Sequence, residues 1–218
     1  MPGCCAPGDL DDLFSPAQAA SDARSYRGKG LNAEARRITE AIRRLGVGGL
    51  TVLEVGGGIG AIQLELLRSG ASSATNVELS HSYEAVASEL IAAAGLEGRI
   101  DRRIADFAGD GDVVPPADAV ILQRVVCCYP NADALVEAAA RHATRVLVLT
   151  FPIDRWWGGG VAALINAWPR LRGWRFRFYL HKTSAVIAAA EREGMHVLER
   201  RTGVFWQMLV FTREAVAA

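Results

Sequence analysis

Thr51-Val-Leu-Glu-Val-Gly-Gly-Gly-Ile-Gly60 runs a β-branched and aliphatic stretch into a glycine cluster, and an amphipathic segment, Ala61 to Arg68, begins at once. That order predicts a strand, a tight turn and a helix, the first half of a βαβ unit. Glycines let the backbone take positive φ and approach a ligand closely, and a helix N-terminus favours negative groups. The next strand-like run, Ala74-Thr-Asn-Val-Glu78, ends on a carboxylate placed to accept hydrogen bonds from a ribose diol. Together they predict an adenosine-containing cofactor.

Outward from this stretch, strands and helices alternate. Asn32 is placed to cap a helix through about Leu45, with Ile38, Ile42 and Leu45 on one face. Strands are predicted at Leu50–Val55, Ala74–Leu79, Arg99–Ala105, Ala117–Leu122 and Arg145–Phe151. Helices are predicted at Ile59–Ser69, His81–Ala94 and Ala132–Ala143. Such alternation specifies an α/β, doubly wound parallel sheet. Two further extended runs, His196–Arg201 and Val204–Thr212, are joined through Thr202-Gly203, too short a link for a parallel crossover. They predict a C-terminal antiparallel hairpin, which makes the sheet seven-stranded.

The flanks differ in texture. Residues 1–30, rich in Gly, Pro, Ser and Asp, read as an irregular arm or lid ahead of one domain, 31–218. Residues 152–182 read as an insertion or cover on the substrate side. They hold Trp156, Trp157, Trp168 and Trp174 among Arg155, Arg170, Arg172, Arg175 and Arg177, with a helix over Val161–Trp168. From Trp174 the pattern alternates, with Trp174, Phe176, Phe178 and Leu180 on one face and Arg175, Arg177, Tyr179 and His181 on the other. A helix over Thr183–Arg192 follows. This Trp/Arg segment has three readings: a small core, the wall of a pocket for a flat acidic molecule, or a peripheral contact with an anionic membrane surface.

Composition narrows the partners. The 218 residues are 50% hydrophobic, and 24 basic side chains balance 24 acidic ones. A balanced charge argues against nucleic acid, whose phosphates call for a basic excess. The first residues lack the basic and apolar regions of a signal peptide, and no apolar run reaches the ~18 residues that span a bilayer. The chain is expected to be soluble and cytoplasmic. Its four cysteines form the adjacent pairs Cys4-Cys5 and Cys127-Cys128, which fit no common zinc spacing and read as reduced thiols, with no metal site. A four-thiol cluster is the alternative if the N-terminal arm closes over the loop of the second pair.

The glycines alone leave the cofactor open, because Gly56, Gly58 and Ala61, with Glu78 about 20 residues on, also satisfy the dinucleotide pattern. Three features favour S-adenosyl-L-methionine. Glu54 stands at the strand end before Gly56, Gly58 and Gly60, where a carboxylate can hold the ammonium of a methionine. Asp106-Phe107 follows the third strand, where the Asp can accept from an adenine amino group and the ring can cover the base. The closing hairpin is the third feature.

Glu54-Val-Gly-Gly-Gly-Ile-Gly60, Val77-Glu78-Leu79 and Ala105-Asp106-Phe107, with the terminal hairpin, resemble the Rossmann-like S-adenosylmethionine-dependent methyltransferases over about Leu31 to Thr212. Within that group, Tyr179-Leu-His181 before a helix, a glycine and the hairpin is most similar to the magnesium-protoporphyrin O-methyltransferases. The resemblance implies that Gly56, Gly58 and Gly60 line the methionine and ribose portion and that Glu78 holds the ribose hydroxyls. It implies that Leu79 and Phe107 sandwich the adenine, with Asp106 at its amino group, and that Gln123 faces the sulfonium. Tyr26 falls where many relatives fold a lid over the cofactor.

Methyl transfer from a sulfonium needs alignment of nucleophile and methyl, and exclusion of water. A carboxylate acceptor needs no base, whereas a phenol or alcohol does. His181 is the candidate base, with Tyr179 beside it, because an unperturbed imidazole titrates near neutrality. Arg124, at the carboxyl edge of the sheet, is placed to pair with an acceptor carboxylate. Tyr129, Trp156 and Trp157 complete the expected substrate side. Methyl transfer to a small, planar acceptor is the expected activity. A non-catalytic S-adenosylmethionine-binding subunit and a nucleotide-dependent oxidoreductase are the alternatives.

Overall fold

The computed structural model describes residues 10–11, 13–110, 114–174 and 176–213. Cys4, Cys5 and Arg175 lie outside the described residues, and with them the expected four-thiol cluster.

Seven strands form one sheet: β1 (Thr51–Val55), β2 (Ser73–Glu78), β3 (Ile100–Ile104), β4 (Ala117–Gln123), β5 (Ala143–Pro152), β6 (His196–Thr202) and β7 (Trp206–Thr212). Their spatial order is β3-β2-β1-β4-β5-β7-β6. The first five run parallel, and β7 lies antiparallel between β5 and β6. The chain steps outward from β1 to β3, then returns to place β4 on the other side of β1. That reversal opens a crevice beyond the carboxyl ends of β1 and β4, where open α/β sheets take ligands.

Alternating strand residues feed two cores, because successive side chains point to opposite faces. Val52, Ile121 and Val148 pack under helices α1 (Pro16–Lys29), α2 (Ala33–Arg44), α3 (Ala61–Arg68) and α4 (Glu84–Ala94). Leu53, Leu122 and Leu149 pack under α5 (Phe107–Asp110), α6 (Ala132–His142) and α8 (Thr183–Arg192). Both faces being covered, the central strands read as unbroken apolar runs. Strand β6 is an exposed edge carrying Glu199, Arg200 and Arg201, charges that discourage pairing with another chain.

Two expectations are corrected. Residues 16–29 form a helix, where an irregular arm was expected. Ser15 caps it by accepting from the Gln18 amide, Pro16 occupies its first turn, and Gly30 ends it at φ 68°. The buried residues are small, Ala19 and Ala23, so the helix packs closely without the large apolar stripe that periodicity looks for. Residues 176–181, which carry the alternating pattern, hold Phe176 and Phe178 inside, yet they are not a strand. Their partners are a side chain and a loop. The Asn166 amide accepts from Phe178 N–H (2.7 Å) and donates to Phe178 C=O (2.8 Å), and Tyr179 N–H donates to Cys127 C=O (2.7 Å). Asn166 belongs to α7 (Gly158–Leu171), which is longer at both ends than the expected Val161–Trp168.

Candidate cofactor and acceptor site

A cavity of about 600 Å³ occupies the crevice. One end is walled by Glu54, the turn Gly56–Gly58, Glu78 and Asp106, and the other by Phe14, Cys127, Phe176, Phe178 and Trp206. Helix α1 contributes Gln18, Asp22 and Tyr26 to the wall.

The glycine turn is built for close approach. Gly56 and Gly58 have φ of 64° and 55°, which side-chain-bearing residues avoid. Gly57 is required by space: a Cβ there would stand 2.2 Å from Asn76 Nδ2 and 2.7 Å from Glu54 Cδ. Glu78 secures the turn, accepting from Gly58 N–H (2.9 Å) with one oxygen and from Leu79 (2.9 Å) and Ser80 (3.3 Å) N–H with the other. Burial raises its pKa, opposed by those three N–H groups and by Arg102. Arg102 bridges the turn to α4, donating to Gly58 C=O (3.0 Å) and to both Glu84 oxygens.

Glu54 is the unusual group. It is 1% exposed, and its hydrogen bond, from Gln63 N–H, is long at 3.4 Å. Burial lifts its pKa to about 8, only partly countered by the Gln63 N–H and Arg102, with Glu78 adding to the rise. The side-chain amides of Gln63 and Asn76 are also buried and find no hydrogen-bond partner within the described protein. An acidic group and a backbone turn with no room for a side chain, facing one cavity, fit a ligand that brings a cation and hydroxyl groups. A methionine ammonium and a ribose diol meet that requirement.

The expected site residues sort by geometry. Glu54, Gly56, Gly58, Glu78, Leu79, Asp106, Phe107 and Gln123 line the cavity. Gly60 does not; at φ 75° it caps α3 and leaves room for the Gln63 amide. Phe107 is 3% exposed, its ring edge-on to His142 with centroids 5.1 Å apart, so it serves the core as well as the wall. Tyr26 turns its ring to the cavity, but its hydroxyl donates to Glu65 (2.7 Å) and accepts from Arg68 (2.9 Å), away from it. Burial and Glu65 push that phenol up to about 12.

The substrate-side expectations need more correction. Arg124, at φ 60°, gives its guanidinium to Glu34 of α2 (2.7 Å) and covers the Trp206 ring at 4.6 Å. Glu34 in turn accepts from Thr150 Oγ1 (2.6 Å), so Arg124 latches α2 to the ends of β4 and β5. It lines the cavity as part of that ion pair, not as a free cation. Tyr129 donates to Asp106 Oδ2 (3.0 Å), which ties it to the end of the cavity expected to hold the cofactor. Trp156 is 95% exposed and Trp157 stacks on Phe205, so neither walls the cavity. His181 and Tyr179 stack on each other outside the cavity wall. His181 Nε2 lies 2.9 Å from Tyr129 C=O, and burial lowers its pKa. These contacts make His181 a tie between segment 176–182 and the loop after β4.

Phe176 and Phe178, from the segment expected as a substrate-side cover, line the wall, whereas Phe14, Asp22, Tyr83 and Trp206 escaped sequence reasoning. Tyr83 follows Glu78 closely, and its ring lies 3.3 Å from where a Gly58 Cβ would stand. An aromatic just beyond the acidic strand end was the available signal. For Arg102 it was a basic residue inside a strand facing a covered sheet.

The chain matches no protein-family model. Magnesium protoporphyrin IX methyltransferase from Synechocystis PCC 6803, solved with bound SAH, superposes with a TM-score of 0.71 at 19% identity, over 94% of this chain and 98% of that one. This is the Rossmann-like methyltransferase fold. The [4+2]-cyclase SpnF also shares it, with a TM-score of 0.63 at 16% identity, covering 81% of this chain and 80% of that one. In sequence, 93 residues are 41% identical to the 3-hydroxy-5-methyl-1-naphthoate 3-O-methyltransferase of Streptomyces sahachiroi. That match takes in 42% of this chain and 26% of the relative, so the chain spans about a quarter of the curated protein it resembles.

Proposed function

We propose that the protein transfers a methyl group from S-adenosyl-L-methionine to a small, planar, largely apolar acceptor carrying a carboxylate or hydroxyl. The observation that carries this reading is one cavity with a buried carboxylate and glycine turn at one end and an aromatic wall at the other. Bound there, the cofactor supplies an activated methyl on a sulfonium.

The chain's own residues bind, orient and exclude water. Glu54 holds the ammonium, Glu78 and the Gly56–Gly58 backbone hold the ribose, and Asp106 with Tyr129 holds the adenine edge. Phe14, Phe176, Phe178 and Trp206 grip a flat acceptor by its faces and keep the transfer zone dry. The naphthoate methyltransferase and the porphyrin methyltransferase among the similar proteins are both named for flat aromatic acceptors, which supports this choice. The Arg124–Glu34 pair sets the rim. An acceptor carboxylate reaching Arg124 competes with Glu34.

His181 lies outside the cavity wall, so the reading assigns it no proton transfer. Turnover of a panel of naphthoic acids, benzoic acids and phenols by the His181→Ala variant tests this. We expect kcat for the best acceptor to stay within about 3-fold of the parent, with an unchanged pH profile. A general base would instead contribute about 10²-fold or more. Such a loss with a flattened profile would restore His181 as the base.

A second reading is favoured by one observation. The fold also serves a protein named as a [4+2]-cyclase, and the acceptor end of this cavity is mainly apolar and aromatic. In that case S-adenosylmethionine binds, but no methylated product forms with any acceptor in the panel.

A further inference from the structure

Helix α7 buries one side and leaves an apolar side uncovered. Gly158, Asn166 and Pro169 face inward, and Ala162 packs on the cluster that holds Phe176, Phe178 and Cys127. Val161, Leu164, Ile165, Trp168 and Leu171 fall within about 120° of the helix circumference at 3.6 residues per turn. That stripe faces out: Leu164 is 76% exposed, Trp168 55% and Leu171 82%. Trp156, just before the helix, is fully open as well. Of the large apolar side chains exposed among the described residues, most lie in this one stretch.

Charge along the segment that carries the stripe is one-sided. From Arg155 to Lys182 the chain has five arginines and one lysine and no Asp or Glu, within a protein whose total charge is balanced. Arg172 folds its guanidinium over the Trp168 ring at 4.3 Å, which lays a cation directly on the stripe. An exposed Trp/Leu face carrying a cation, in a segment whose charged residues from Arg155 to Lys182 are all basic, is the pattern of a helix that lies in a lipid interface, with aromatics at headgroup depth. Two copies of this face would oppose like charges, and a soluble chain gains nothing by leaving Leu164 and Leu171 in water. No described helix is long and apolar enough to cross a membrane, so the contact is peripheral.

We propose that α7 is an interfacial helix that seats the protein on an anionic lipid bilayer. The inference is independent of the reaction assigned to the cavity, although it has a consequence for it. The opposite side of α7 packs on the aromatic wall of the acceptor end, so a bilayer-dissolved acceptor would enter beside the helix.

Co-sedimentation with large vesicles tests the proposal, comparing pure phosphatidylcholine with a mixture holding about a third phosphatidylglycerol. We expect at least tenfold stronger binding to the anionic vesicles, lost at high salt, and a blue shift of tryptophan emission on binding. Leu164→Glu and Trp168→Glu should each remove most of the binding while leaving the melting temperature unchanged. Val197→Glu, at an exposed apolar residue of β6 opposite Phe211, at the end of the sheet away from α7, should bind like the parent. Equal binding to neutral and anionic vesicles, no binding to either, or full binding by the α7 variants would overturn the proposal. So would a dimer in solution that Leu164→Glu dissolves, because the stripe would then be a contact between copies of this chain.

Discussion

Replacing Gly57 with valine is expected to weaken S-adenosylhomocysteine binding by about 100-fold, the loss of roughly one or two hydrogen bonds to charged groups. Even the first added carbon falls 2.2 Å from Asn76 Nδ2 and 2.7 Å from the Glu54 carboxyl carbon. Neither neighbour has room to yield, since both side chains are buried. The turn must therefore move, and Gly56 and Gly58 move with it, taking the Gly58 amide off Glu78. Overpacking of this kind also costs about 1–3 kcal/mol of stability. A matched control is Gly159→Ala, where an added carbon meets nothing within 4 Å and the helix gains a little. Isothermal titration of both variants, with a melting curve for each, separates lost binding from lost folding. Parent-like affinity in Gly57→Val would remove the turn from the site.

The second large effect concerns protons. Burial holds the Glu54 carboxyl at about 8, against an ordinary value of 4.5. The folded, ligand-free protein thus keeps a proton there that the unfolded chain has lost. Between those two values the folded state binds more protons, so stability falls as pH rises through that window. Glu78, shifted in the same direction, adds to the slope. A ligand ammonium reverses the balance at Glu54 by favouring the charged form. Binding of S-adenosylhomocysteine at pH 7 should then release close to one proton, and its affinity should rise nearly tenfold per pH unit between about 6 and 8. Glu54→Gln should abolish the proton release and flatten that dependence. Titrations in buffers of different ionisation enthalpy read the proton count directly; a count near zero for the parent protein would show that Glu54 does not meet the ammonium.

How far the sequence reaches is visible in these residues. Val52, Leu53, Ile121 and Leu122 are buried on both sheet faces, so the central strands announce themselves as apolar runs ending in glycine. Glu54, Gly56, Gly58, Glu78 and Asp106 follow from those strand ends, because in a parallel sheet chain order fixes which ends share the crevice. The acceptor end obeys no such rule. Phe14, Phe178 and Trp206 come from three distant segments and meet only after β7 has inserted beside β5. The ion pair of Arg124 is not legible locally, because its partner, Glu34, lies 90 residues away on a helix whose docking no local pattern records. His181 and Trp156 failed differently: their residue types suit a site, but a loop carbonyl holds one and solvent surrounds the other. Helix α1 was missed because alanines rather than leucines form its buried side.

The claim on which the rest stands is that the crevice binds the methionine, ribose and adenine of one cofactor through Glu54, Glu78 and Asp106. Isothermal titration of the unaltered protein with S-adenosylhomocysteine, S-adenosylmethionine and NAD tests it most directly. We predict one site for each sulfur ligand and none for NAD, with a stabilisation of about 2.7 kcal/mol at a hundredfold excess over Kd. Binding of NAD without either sulfur ligand would contradict the account.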